Sequence, residues 1–321
     1  MANSLPIARR PDSPHFAIVI PCYNEQETIP VLWSKLTPII NQLHGSFSVC
    51  FIDDGSTDDT YARLSELAAS DSRAQVIRLS RNFGHQPALT AGIENANGDA
   101  LILMDADLQD RPEAILDFIA KWREGADVVY AVRASRKENA LLRAAFKGFY
   151  RLMSSASGIK VPMDAGIFGL LDRRVVDVLR AMPERNRYFP GLRAYAGFQQ
   201  ASVLVQRDAR HHGKSRVRIS GLIKLALDGL IAFSYLPIRM ITTIGLLVAA
   251  SAFCYTLRVL YKKLVSGEAI IGWASTLTAI LFLGGLQLVM LGLIGEYIGR
   301  IYEEVKRRPY YIIRDKINFP E

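Results

Sequence analysis

The chain predicts an α/β fold, a mostly parallel sheet covered by helices, followed by a two-helix transmembrane hairpin. Three observations carry that prediction. From residue 16 to about 171, short β-rich apolar runs alternate with longer helix-like segments, the pattern of strands joined by helical crossovers. An apolar run, Ala100-Leu101-Ile102-Leu103-Met104, stops abruptly in Asp105-Ala106-Asp107-Leu108-Gln109-Asp110. A buried strand reads this way when it delivers carboxylates to the edge where open α/β sheets bind ligands. Near the C-terminus, residues 240–257 and 269–294 form uncharged stretches of about 18 and 26 residues. A helix needs roughly 20 to cross a bilayer.

The elements follow in order. Residues 1–15 are polar, carry Pro6, Pro11 and Pro14, and lack the apolar core of a secretory signal. They read as a flexible N-terminus, and the domain after them is expected to stay in the cytoplasm. Strands are predicted near 17–21, 47–53, 75–79, 100–105, 128–133 and 168–171, with helices near 27–42, 58–69, 86–95, 112–122 and 140–155. Ser56 ahead of Asp59 reads as an N-cap with an acidic first turn. The region 173–210 has a weaker pattern, with an edge strand at 200–206. A catalytic domain therefore spans 16–210. In 211–234 a basic loop precedes a segment in which Leu222, Ile223, Leu225, Ala226, Leu230, Ile231 and Phe233 recur at helical spacing. That spacing suits a helix lying in a membrane interface, with a plain core helix as the competing reading. Two transmembrane helices occupy 235–298, and 299–321 form a basic tail.

Charge sets the orientation. The 39 Lys and Arg against 31 Asp and Glu give a net charge of +8, which fits nucleic acid or an anionic membrane surface. Position decides between them: Arg207, Arg210, Lys214, Arg216, Arg218 and Lys224 precede the first span, while Arg300, Lys306, Arg307, Arg308, Arg314 and Lys316 follow the second. By the positive-inside rule both termini and the catalytic domain face the cytoplasm, in a multi-pass protein of the inner membrane. Tyr255, Tyr261, Trp273 and Tyr297 sit near the ends of the spans, where interfacial aromatics collect. The basic residues flank the bilayer and no nucleic-acid motif is present, so the expected partner is the lipid bilayer and not nucleic acid. Small residues at Gly284, Gly285 and from Gly292 to Gly299 would let helices approach closely and point to a homo-oligomer of unassigned order. Cys22, Cys50 and Cys254 have no metal-ligand spacing and read as buried small hydrophobes.

The polar residues at the strand ends carry the chemistry. The first strand ends in Pro21-Cys22-Tyr23-Asn24-Glu25 and the second in Asp53-Asp54-Gly55-Ser56-Thr57-Asp58, on the same edge as Asp105. Asp53 or Asp54 can accept hydrogen bonds from a nucleobase or ribose, and Gly55 supplies a tight turn close to the ligand. Asp105 and Asp107, two residues apart at a strand-to-loop transition, can both reach one Mg²⁺ or Mn²⁺, with Gln109 as a further ligand or a partner of a metal-bound water.

Together with Arg81-Asn82-Phe83-Gly84-His85, these segments resemble those of glycosyltransferase family 2. Within it the chain resembles the polyprenyl-phosphate glycosyltransferases, which include dolichol-phosphate mannose synthases and bacterial undecaprenyl-phosphate glucosyltransferases with two C-terminal spans. The resemblance covers about residues 16–308. It implies a GT-A, Rossmann-like fold and inverting, metal-dependent transfer from a nucleotide sugar to a lipid phosphate. On that pattern Pro21, Tyr23, Glu25 and Asp54 border the nucleotide with Asp53 nearby, and Asp105, Asp107 and Gln109 bind the metal and diphosphate. Arg133 and Arg136, with Arg210, Lys214, Ser215 and Arg216 from Arg210-His211-His212-Gly213-Lys214-Ser215-Arg216, would gather around the phosphates. Asp164 lies in the segment that carries a carboxylate near the sugar. The chain departs from many relatives at Ile167, where they have an acidic residue, and at Gly169, where they have an arginine.

A phosphate monoester is largely dianionic at neutral pH, so a strong general base is not required, and Asp164 is expected to orient the acceptor or act as a weak base. The leading expectation is glucose transfer from UDP-glucose to undecaprenyl phosphate. The alternatives are the same chemistry with GDP-mannose or a modified UDP-sugar, and an idle membrane scaffold. A processive polysaccharide synthase would need more spans to form a channel.

Overall fold

The computed structural model describes residues 10–133, 165–185, 187–205, 236–261, 264–265 and 272–319. They divide into two compact units: a sheet domain, to which residues 309–321 also belong, and the C-terminal helices. In the sheet domain, β1 (His15–Cys22), α1 (Thr28–Gln42), β2 (Ser46–Asp53), α2 (Thr60–Ser70), β3 (Ala74–Leu79), α3 (His85–Asn95), β4 (Ala100–Leu103), α4 (Ala114–Arg123) and β5 (Val128–Arg133) alternate as predicted. Then come β6 (Ala165–Asp172), α5 (Arg173–Ala181), α6 (Phe189–Tyr195) and β7 (Gln200–Val205). The last strand is β8 (Ile313–Ile317).

These strands form an eight-stranded sheet in the order β7-β5-β6-β4-β1-β2-β3-β8. β1 pairs in parallel with β2 and β4, β2 with β3, and β5 with β7. β6 runs antiparallel between β4 and β5, and β8 antiparallel beside β3. Six strands therefore point the same way, and their C-terminal ends share one edge. Because β6 runs the other way, its first residues lie at that edge as well.

Burial explains the composition of the central strands. Phe16, Ala17, Ile18, Val19 and Ile20 of β1 are all 0% exposed. Alternation is lost there because both faces are covered, as in parallel sheets generally. Helix α1 buries Ile29, Leu32, Leu36, Ile39 and Ile40, a stripe at helical spacing. Phe16 stacks on Phe47 and meets Trp122 edge-on at one end of the core, where the Trp122 indole N–H donates to the Asp172 carboxylate at 2.8 Å. Gly169 has a packing reason: a Cβ there would sit 2.3 Å from the Val129 carbonyl oxygen of the neighbouring strand.

Several expectations change. The Ser56 hydroxyl does not cap α2: it accepts from the Asn24 N–H at 3.0 Å, and the first helical residue, Thr60, donates its N–H to Asp58 instead. The weakly patterned region holds two helices, α5 and α6. Cys22 and Cys50 are buried as expected, burial pushing the Cys50 thiol up to about 12, but Cys254 is exposed. The predicted helix at 140–155 and the interfacial segment at 211–234 lie outside the described residues.

The second unit contains α7 (Leu236–Tyr261) and α8 (Trp273–Lys306). They approach each other at Gly245, where an added Cβ would be 3.4 Å from the Met290 methyl carbon. Among the described residues, the 25-residue stretch Phe282–Lys306 is long and apolar enough to cross a membrane, with mean hydropathy 1.5 in its 18-residue apolar window, and Thr242–Tyr255 is a shorter apolar stretch. Helix α8 continues past the predicted limit at 298, so the expected basic tail begins as helix and ends as strand β8.

Candidate active site

The loops after β1, β2, β3 and β4 meet at the C-terminal edge of the sheet. Asp54, just past β2, organises them: its backbone N–H donates to the Cys22 carbonyl at 2.9 Å, and its carboxylate accepts from the backbone N–H groups of Phe83 (2.7 Å) and Gly84 (2.9 Å). Burial raises the Asp54 pKa, and the two backbone donors oppose that shift. Asp53 is wholly enclosed, accepting from the Ser56 N–H at 3.0 Å while Arg78 Nε lies 3.5 Å from its other oxygen. Both aspartates expected at a nucleotide are thus engaged in holding loops.

Gly55 has φ +65°, and a Cβ there would be 2.4 Å from the Arg81 carbonyl carbon and 2.6 Å from the Asn82 nitrogen. The positive φ makes the tight turn expected at Gly55, and the missing side chain also lets two loops approach closely. The β1 loop is tied in by Glu25 N–H donating to Thr60 Oγ1 at 2.7 Å and Thr57 N–H donating to Asn24 Oδ1 at 2.9 Å. Glu25 accepts the Thr28 hydroxyl at 2.6 Å. Pro21 is buried. Tyr23 is 40% exposed and gives this cluster an open aromatic face.

After β4 the chain alternates. Asp105, Asp107 and Gln109 are half-buried, and Ala106, Leu108 and Asp110 are buried. The turn is held by Leu108 at φ 57° and by the Gln109 N–H donating to Asp107 Oδ1 at 3.1 Å. Two carboxylates and an amide are therefore presented together by one short segment. Hard oxygen donors of this kind fit Mg²⁺ or Mn²⁺. No group of three His, Cys, Asp or Glu side chains suited to a metal ion occurs among the described residues. A cation here would draw its remaining ligands from phosphate oxygens and water.

His85, which the motif contained but sequence reasoning gave no role, stands at the first turn of α3 and its Nε2 lies 2.9 Å from Asp105 Oδ1. Burial pulls the His85 pKa down. The hydrogen bond to Asp105 and the charges of Asp105, Asp54 and Asp107 outweigh it, and the net direction is upward. The loops after β2 and β3 and the Asp105 segment are thereby joined into one network. On the other side, Arg193 of α6 lies buried with its Nη1 donating to the Gly166 carbonyl at 3.3 Å. It too had no sequence signal beyond a basic residue in an apolar segment. Arg133 is the last residue of β5, at the same edge. Asp164, Arg136, Arg210, Lys214, Ser215 and Arg216 lie outside the described residues.

A mostly parallel α/β sheet with acidic, glycine-containing loops converging at the C-terminal edge of its parallel strands places the candidate site where open α/β sheets bind ligands, and comparison with known proteins gives the family. The model for glycosyl transferase family 2 matches residues 17–180, and that for the GtrB C-terminal hairpin matches 236–301. The chain belongs to glycosyl transferase family 2 and is a glycosyltransferase with a GT-A-like fold. It is 41% identical over 300 residues to the uncharacterized glycosyltransferase YkcC of Bacillus subtilis (strain 168), covering 93% of each chain. It is also 41% identical over 299 residues to the bactoprenol glucosyl transferase of Shigella phage SfII, covering 93% of this chain and 97% of that one. Among solved structures, mannosyl-3-phosphoglycerate synthase from Rubrobacter xylanophilus aligns with TM-score 0.47 at 18% identity, over 72% of this chain and 75% of that one.

Proposed function

We propose that this glycosyltransferase moves glucose from UDP-glucose to undecaprenyl phosphate, with inversion at the anomeric carbon, at the cytoplasmic face of a membrane that its C-terminal helices span. The observation that carries the reading is the joint presentation of Asp105, Asp107 and Gln109 at the edge where four loops converge, in a chain that continues into exposed apolar helices. On α8, Phe282, Leu288, Val289, Leu291, Ile298, Ile301 and Val305 are each more than half exposed. Apolar surface of that extent is suited to lipid. The resemblance to bactoprenol glucosyl transferases along nearly the whole chain supports both the acceptor and the sugar.

In this reading Tyr23 offers its exposed ring to the base. Asp53 and Asp54 act on the nucleotide through the loops they hold, beside Pro21, Glu25 and Gly55. Asp105 and Asp107, with Gln109, hold Mg²⁺ or Mn²⁺, which would neutralise charge developing on the leaving diphosphate. His85 fixes the Asp105 carboxylate from the α3 side. Arg133 and Arg136, with Arg210, Lys214, Ser215 and Arg216, surround the phosphates, and Asp164 orients the acceptor. The acceptor oxygen is already anionic, so the protein contributes alignment and charge stabilisation more than proton transfer.

The test is replacement of the carboxylates. Asp105→Asn and Asp107→Asn should each lower turnover by at least about 10²-fold, the scale for loss of a preorganised electrostatic group. The circular dichroism spectrum should stay unchanged. Full activity in both variants would remove the assignment.

A further inference from the structure

Arg193 is an unusual residue to find inside this domain. It is 1% exposed, and among the described residues its Nε and Nη2 meet no hydrogen-bond acceptor. Its described partners are the Gly166 carbonyl, 3.3 Å from Nη1, and the Tyr130 ring, whose centroid is 4.7 Å from the guanidinium carbon. Burial lowers the pKa to about 10, with Tyr130 and Tyr188 opposing the shift, so the group remains a cation at neutral pH. A buried charge with open donors is expensive unless something pairs with it. If packing α6 against β5 were its whole task, a methionine would fill the same volume without that cost.

Two features indicate what pairs with it. The open donors, Nε and Nη2, are the adjacent pair whose N–H bonds run parallel, the fork that grips two oxygens of a phosphate or carboxylate. The position is also right. Gly166 is the second residue of β6, and β6 runs antiparallel, so the guanidinium lies at the edge where β4 passes into Asp105 and β5 ends in Arg133. It stands on the β5–β6 side of that edge, and Asp54 and His85 stand on the β2–β3 side.

We propose that Arg193 is a phosphate-binding residue of the transferase, closing its Nε/Nη2 fork on an oxyanion of a substrate phosphate. The inference rests on the reading of the chain as a transferase that joins a nucleotide sugar to a lipid phosphate. Two sources share the chemistry, the monoester of the acceptor and the diphosphate of the donor.

The experiment compares wild type, Arg193→Met and Arg193→Lys as full-length protein in detergent, measuring KM for undecaprenyl phosphate and for UDP-glucose separately, together with Tm. Arg193→Met should melt no lower than wild type, because an unpaired buried cation has gone, while KM for one substrate rises at least tenfold. A rise confined to the lipid assigns the acceptor phosphate; a rise confined to UDP-glucose assigns the diphosphate. Arg193→Lys should be intermediate, having charge but no fork. Both KM values within twofold of wild type in Arg193→Met, or a lowered Tm with kcat reduced and KM unchanged, would make Arg193 structural and overturn the proposal. So would failure of both variants to fold. If wild type forms no glycolipid, the proposed reaction fails independently. The arginine is then judged by thermal shift with inorganic pyrophosphate: stabilisation of wild type but not of Arg193→Met supports it, and equal shifts refute it.

Discussion

At the scale of single residues, the site depends on side chains that hold backbone as much as on those that would face substrate. Gly55→Ala should be among the most damaging small changes, since the added carbon meets the Arg81–Asn82 backbone and φ is +65°. A loss of about 2 kcal/mol or more is expected, read as a lower midpoint in urea. An unchanged midpoint would show that the two loops separate easily. The carboxylate cluster was legible because an apolar run ending in Asp105 and Asp107 has few other readings. The tasks of Asp53, Asp54 and Gly55 were legible only in part. Sequence marks them as a polar turn at a strand end, but whether a carboxylate faces a ligand or the N–H groups of Phe83 and Gly84 depends on where a distant loop comes to rest. Arg193 was hidden for a related reason: burial of a cation is a tertiary fact with no local pattern.

At the scale of elements, the alternation of strands and helices through β5 was readable because each central strand is apolar on both faces. β8 was not. Its sequence, Ile313-Arg314-Asp315-Lys316-Ile317, carries three charges in five residues and reads as a basic tail, yet such charge is common on exposed edge strands. It closes the sheet beyond β3, with the Ser80 N–H donating to the Ile312 carbonyl at 2.9 Å. Around it, Tyr311 donates to Glu94 at 2.6 Å, and the Asn318 amide donates to the carbonyls of Ala68 (2.7 Å) and Ala74 (2.9 Å). Burial, then the bond to Glu94 and its charge, push the Tyr311 pKa up and keep the phenol a donor. The C-terminal residues are therefore part of the catalytic domain's fold. Asn318→Ala should cost about 1–2 kcal/mol by leaving two carbonyls without this donor. That corresponds to a fall in Tm of about 2–8 °C. A Tm unchanged within error would mean that the strand contributes little to the domain.

At the scale of the whole molecule, a glycosyl transferase family 2 domain is followed by two C-terminal helices that match the GtrB C-terminal hairpin. The exposed apolar residues of α7 and α8 predict that the full chain remains in the pellet when membranes are washed with alkaline carbonate; release into the supernatant would argue against spanning helices. By the positive-inside rule, both termini should be reached by protease only from the cytoplasmic side; cleavage of either from the opposite side would contradict the orientation proposed. Glycines 284, 285, 292, 295 and 299 leave open space along α8, where an added Cβ would meet no described atom within 4 Å. This is the face on which a homo-oligomer would be sought by mass measurement in detergent. Sugar transfer to a lipid phosphate is tested most directly by incubating purified protein with undecaprenyl phosphate, Mn²⁺ or Mg²⁺ and a panel of UDP- and GDP-sugars, followed by mass spectrometry of the lipids. The expected product is glucosyl phosphoryl undecaprenol from UDP-glucose, lost with EDTA and restored by the metal. Folded protein that forms no glycolipid from any donor would contradict the proposed transfer.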